Sequence, residues 1–344
     1  MPGKKVLRVV FLLATVLAVG SLGVADSQAS NESWQGTPQE DFLTGPIVKK
    51  FQCVTCHTIA DEGGTVGPIL NQVGLRRTED WIDTWLQDPN AVKPGTKMPK
   101  FPFTDEERKL TVEYLTKMKR DLRTDEILAS DKPLFEIGRE LFLDYDCLAC
   151  HRIGDEGRFV GPDLTWVGIR KPEAWEQIWL TSPPAFKPDT FMPDFHIPQK
   201  AVESLAAYLH TLQGQDNAAG RQWEFMFSFM VNTSAKVRGE MVWKRLGCWS
   251  CHGENGRGGI ENPNAAPGHE LVPDMKGARD GFDKAAFLAK LTSGTETPAA
   301  DPSAAPLPYD CPAYPDNALN QQGLDDLYAY VSSLAPPKSR WTIK

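Results

Sequence analysis

The sequence predicts an all-α protein built from three tandem repeats, and three observations carry that prediction. The frame Cys-x-x-Cys-His occurs three times, as Cys53-Val-Thr-Cys56-His57, Cys147-Leu-Ala-Cys150-His151 and Cys248-Trp-Ser-Cys251-His252. Further landmarks follow the first two frames at matching offsets. Gly67-Pro68-Ile69-Leu70 and Gly161-Pro162-Asp163-Leu164 each begin ten residues after the histidine, and Met98-Pro99 and Met192-Pro193 each lie 41 residues after it. An aromatic stands three residues after each methionine (Phe101, Phe195) and a tyrosine 16 residues after it (Tyr114, Tyr208). Third, apolar residues at helical spacing close each repeat, over 109–118, 202–212 and 324–334. Segments that agree at several landmarks with identical spacing are copies of one structural unit.

The composition is that of a globular chain: 344 residues, 41% hydrophobic and 24% charged. The net charge of −8 argues against nucleic acid as a partner, because a phosphate backbone wants a basic patch. At the N-terminus, Lys4, Lys5 and Arg8 precede an apolar stretch and then small residues, with Ser27-Gln28-Ala29 as a cleavage site. Residues 1–29 therefore read as a signal peptide or as an N-terminal anchor. The uncharged stretch 9–25 sits at the short edge of what spans a bilayer, so both outcomes stay open. In either case the body of the chain is exported.

The spacing inside the repeated frame is that of covalent haem attachment. Two thiols about one helical turn apart reach the two vinyl groups on one porphyrin edge, and the next residue, His57, His151 or His252, lies under the iron as proximal ligand. A zinc ribbon pairs one Cys-x-x-Cys with another, and three frames about 100 residues apart do not pair that way. A thioredoxin-like pair expects a βαβ context that the pattern lacks. The expectation is three covalent haem c groups, held by Cys53 and Cys56, Cys147 and Cys150, and Cys248 and Cys251.

Each unit then reads as opening helix, haem frame, long loop, short helix, Met-Pro loop and closing helix. Gly138-x-x-Leu141-Phe142 and Gly239-x-x-Val242-Trp243 open amphipathic runs into the second and third frames, with the glycine placed to let the closing helix cross closely. In the first unit Gly45 is followed by Pro46, so its opening helix is expected to be short. The third repeat is looser. Val272-Pro273-Asp274-Met275 replaces Gly-Pro-x-Leu, with its proline 21 residues after the haem histidine, and the insertion 256–268 reads as a surface loop. Cys311-Pro312-Ala313-Tyr314 then stands where Met-Pro-x-aromatic stood. The expected domains are 40–121, 131–214 and 233–337, joined by polar linkers at 121–132 and 213–220. The aromatic-rich run 221–232 reads as an inter-domain packing helix, with an apolar docking site as the alternative.

These landmarks resemble the class I cytochrome c family over nearly the whole chain. The resemblance implies small all-α domains whose haem serves as much of the core, and a distal ligand from a loop before the last helix. Met98 and Met192 fit that role, with a core methionine as the alternative for each. His196, His210 and His269 are poorer ligands by position. Cys311 is the seventh cysteine, left over once attachment consumes six. It reads as a free buried thiol, an intermolecular disulfide or, preferably, the iron ligand of the third haem.

The resemblance implies a periplasmic or periplasm-facing carrier of single electrons. Its partner would be a redox protein such as a membrane quinol-oxidising complex or a periplasmic dehydrogenase, with membrane attachment through the N-terminal segment. The competing reading is a thiosulfate dehydrogenase-like haem enzyme that uses the Cys-ligated third haem. It would need an oxyanion site, and the candidate cations are Arg245, Arg257, Lys276 and Arg279.

Overall fold

The computed structural model describes residues 45–188, 190–214, 233–253, 255–275, 283–304, 308–315 and 318–334. The export segment 1–29, the aromatic run 221–232, Lys276 and Arg279 lie outside the described residues.

Helices dominate, and they repeat in order. The opening helices are Pro46–Phe51, Leu134–Asp144 and Ala235–Arg245, and the closing helices are Asp105–Lys117, Gln199–Thr211 and Gln321–Ser332. Between them in the first two units come a 3₁₀ turn over the haem cysteines, a short helix (Val73–Arg76, Val167–Arg170) and a middle helix (Glu79–Gln87, Glu173–Thr181). The middle helix of the third unit is Lys284–Ser293.

One backbone conformation links the opening helix to the haem frame. The residue before each first cysteine is left-handed: Gln52 at φ 54°, Asp146 at φ 55° and Gly247 at φ 74°. This residue ends the helix and swings the chain into the cysteine turn. Two small hairpins follow the histidine in the first two units, pairing Thr58–Ile59 with Glu62–Gly63 and Arg152–Ile153 with Glu156–Gly157. They were invisible in the sequence, because two-residue strands leave no alternation to read.

The closing helices begin earlier than their apolar pattern. Thr104 and Glu107 form a reciprocal capping box that starts the first one at Asp105, and Asn320 accepts from the Gly323 backbone N–H at 2.8 Å to start the third. In the second and third units the closing helix packs on the opening helix through a glycine. A Cβ on Gly138 would stand 1.8 Å from the Ser204 carbonyl oxygen, and one on Gly239 would stand 1.9 Å from that of Asp326. Tyr208 and Tyr330 lie beside these two crossings, their Cβ atoms 2.8 and 2.7 Å from the same points.

Three apolar cores result, one per unit. They are less separate than polar linkers suggested. Residues 121–132 are not a free tether: the helix Thr124–Leu128 buries Ile127 in the second core. Asp144 accepts from Arg120 at 2.6 Å and from the Arg123 backbone N–H at 2.9 Å, which fastens that segment to the second opening helix. Trp166 of the second unit belongs to the third core, edge-on to Tyr314 at 6.3 Å.

One core position breaks the repeat. The fourth residue past the N-cap of the middle helix is Ile82 in the first unit and Phe287 in the third, both buried. In the second unit it is Glu176, 2% exposed, with neither carboxylate oxygen bonded. Burial, aided by Glu173, pushes its carboxyl up to about 9.

Two outcomes are expected. Gly138→Ala should destabilise the second unit by ~2 kcal/mol or more, since the helices must part to admit the methyl group; denaturant unfolding of the loaded protein measures it. The native state holds a proton on Glu176 that the unfolded state releases near pH 4.5, so the stability it contributes is full below that pH and is lost as pH rises toward about 9. Glu176→Gln should therefore raise stability at pH 8 by on the order of 2 kcal/mol and make little difference at pH 4; unfolding midpoints across that range give the comparison.

Candidate haem-binding sites

Each haem histidine is oriented by one hydrogen bond. The Nδ1 atoms of His57, His151 and His252 lie 2.8, 2.8 and 3.0 Å from the carbonyl oxygens of Pro68, Pro162 and Pro273. A carbonyl only accepts, so Nδ1 carries the proton and Nε2 keeps its lone pair. Burial holds all three imidazoles below the usual histidine range, in the neutral form that can ligate iron.

Glycine completes two of the cradles. A Cβ on Gly67 would sit 2.4 Å from Cε1 of His57, and one on Gly161 would sit 2.7 Å from Cε1 of His151. Val272 stands in the corresponding sequence position of the third unit. The inserted loop leaves the proline contact in place, because Met275 N–H donates to the Gly256 carbonyl at 2.8 Å and closes the loop at its base.

The six frame cysteines are unpaired thiols, all half-buried. Burial raises the thiols of Cys53, Cys147, Cys150 and Cys248, the last to about 12. Among the described residues no group of three or more His, Cys, Asp and Glu is placed to hold a bare metal ion. One nitrogen per frame, beside two free thiols, suits an iron that arrives inside a macrocycle with four nitrogens of its own. The residues therefore fit haem c.

The loops before the closing helices bring sulfur to the same cores. Met98 and Met192 are half-buried against the first and second cores. Their backbone N–H groups meet the hydroxyls of Thr96 and Thr190 at 3.4 and 3.2 Å. Trp85 and Trp179 donate their indole N–H to these sulfurs at 2.9 and 2.8 Å. Sequence reading missed these tryptophans, although each stands 13 residues before its methionine.

The third site differs. Cys311 is half-buried and is held by a backbone bridge to Thr295, donating at 3.0 Å and accepting at 2.8 Å. Burial raises its thiol and Lys290 opposes the rise. Lys290 lies seven residues past the N-cap of its middle helix, the place of Trp85 and Trp179 in theirs. Cys311 lies near enough to Cys248 and Cys251 for their charges to act on one another.

The other sulfurs and histidines fall elsewhere. Met275 and Met241 pack on the third core. The His196 side chain is 89% exposed and sits 3.3 Å from Asp194. His269 is exposed in the inserted loop.

Comparison with known proteins adds the family. Residues 47–119, 135–213 and 237–335 each match the cytochrome c family. A cytochrome c oxidase subunit 2 from Alkalihalophilus pseudofirmus is 24% identical over 82 residues, 21% of this chain and 24% of the relative. The chain thus spans about a quarter of the length of that curated relative. No solved structure matches. Cytochrome c domains imply electron transfer by covalently bound haem c, and domains of this kind are typically extracytoplasmic. With three matches that together span most of its length, the chain belongs to the cytochrome c family.

Proposed function

We propose that this chain is a three-haem periplasmic electron carrier of a respiratory chain. Its axial pairs are His57 with Met98, His151 with Met192 and His252 with Cys311. The observation that carries the reading is the threefold imidazole cradle; the sulfur side chain in the loop before each closing helix is the second ligand we assign to it. A haem closed on both faces leaves no position for substrate, and a thioether raises the potential into a carrier's range. The first and second units abut beside a frame of haem cysteines, where Ile69 N–H donates to the Ala149 carbonyl at 3.2 Å.

Similarity to a cytochrome c oxidase subunit supports the respiratory setting. The basic and apolar segment 1–29 supports export, by cleavage or with retention at the membrane. No helix among the described residues is long and apolar enough to cross a membrane. The partner we favour is a membrane quinol-oxidising complex or a periplasmic dehydrogenase.

Sulfur-compound oxidation at the third haem is less well supported. Arg245, one of its candidate cations, is committed to the second unit: it donates to the Gly154 carbonyl at 3.1 Å and lies 3.7 Å from Asp163.

Intact mass of the mature protein should show three added haems that survive acid–acetone extraction. Two or fewer would overturn the three-site reading. Met98→Ala should open the first iron to carbon monoxide and lower its potential; a variant that titrates like the parent and binds nothing would leave Met98 a packing residue. A thiolate ligand should make the third haem the lowest in potential, with a ferric low-spin signal distinct from the other two. Cys311→Met should then raise that wave toward the others without loss of haem. Turnover of thiosulfate by the parent, abolished in Cys311→Met, would favour the enzyme instead.

A further inference from the structure

Both the first–second and the second–third junction are crossed by a pair of cations from the same place in the repeat. The short helix of each of the first two units ends in two cations, Arg76-Arg77 and Arg170-Lys171, placed 19 and 20 residues after the haem histidine. That helix is fastened to its own unit, since the backbone N–H groups of Gly74 and Gly168 donate to the carbonyls of Met118 and Leu212 at 3.1 and 2.9 Å.

The first cation of each pair is a mechanical tie. Arg76 donates backwards to the Ile69 carbonyl and forwards to the carboxylate of Asp146, which directly precedes Cys147. Arg170 donates backwards to the Asp163 carbonyl at 2.5 Å and forwards to the Leu246 carbonyl, two residues before Cys248, at 3.3 Å.

The second cation does something else. Lys171 Nζ lies 3.7 Å from Sγ of Cys251, 3.5 Å from the ring centre of Tyr309 and 4.6 Å from that of Trp175. Arg77 stacks on Trp81 at 4.2 Å and donates to the carbonyl of Phe191, the residue before Met192; its charge is felt at Cys150. Both cations rest on aromatic faces, and among the described residues neither has a carboxylate within salt-bridge distance. The other charges around Lys171 are Arg170 on its own helix and Asp310 beside Tyr309; around Arg77 there is Arg76.

We propose that Arg77 and Lys171 tune potentials across the junctions. Lys171 sets a positive charge against the attachment edge of the third unit's haem, at Cys251, and Arg77 sets one beside the Met192 loop of the second; neither is neutralised by a carboxylate contact, and each so favours the reduced state of that haem. The proposal rests on the reading that each frame carries a haem. One electron leaves the iron of one unit and arrives at the iron of the next, with no bond broken and no proton moved. A nearby cation stabilises the form with one positive charge fewer, and more strongly where protein displaces water. In the third unit this effect opposes the lowering that a Cys311 thiolate brings.

The test is a redox titration of the full, haem-loaded chain. Lys171→Met should shift the wave of the Cys-ligated haem downward by about tenfold in its one-electron equilibrium, ~59 mV, and leave the other two in place. Lys171→Arg should restore it, which a purely structural defect would not permit. Arg77→Met should move the second haem's wave in the same direction and spare the third. A fully loaded Lys171→Met protein with all three waves unmoved overturns the proposal alone. A parent chain that carries fewer than three haems overturns it through the reading beneath it.

Discussion

The hydrogen bond from each haem histidine to a proline carbonyl is the constraint around which the three units are arranged. It fixes the ring plane, protonates Nδ1 and leaves Nε2 for a metal. Everything between histidine and proline is free to vary as long as the proline returns. The third unit shows this, because an insertion lengthens the intervening loop and the bond is kept at 3.0 Å. The glycine that packs on the ring in the other two units is the part that changes.

The second and third units depend on bringing two helices closer than side chains permit. Gly138 and Gly239 supply that approach, and the tyrosine of the closing helix fills the space beside each crossing. Short domains bury little apolar surface of their own, and a covalently held macrocycle supplies the rest. That is why the three cores gather around the same places that hold the cysteines and the sulfur-bearing loops.

Much of this was legible from spacing. The frames, the Gly-Pro turns, the Met-Pro loops and the glycine–tyrosine crossing all recur, and recurrence needs no knowledge of the fold. What escaped was of two kinds. Trp85, Trp179 and the cation pairs recur as well, but their spacing says nothing about where they point until the middle and short helices are folded against the closing helix. Glu176 and Ile127 escaped for the opposite reason. Each contradicts its local pattern, a carboxyl on an apolar stripe and an isoleucine in a charged linker, and only tertiary packing decides such cases. Lys290 stands in the third unit where the tryptophan stands in the other two, as Cys311 stands where the methionine stands, so the two changes fall in the same unit.

Trp166 shows how far the repeats have diverged. It sits in the second unit by sequence but in the third by packing, whereas the matching residue of the first unit is Gln72. The two junctions are therefore not interchangeable. A chain cut after the second unit would present a bare indole to water, and a chain with its units reordered would bury a glutamine amide where a tryptophan is required. The three modules share one plan, but Trp166 writes the order of the second and third into the third core itself.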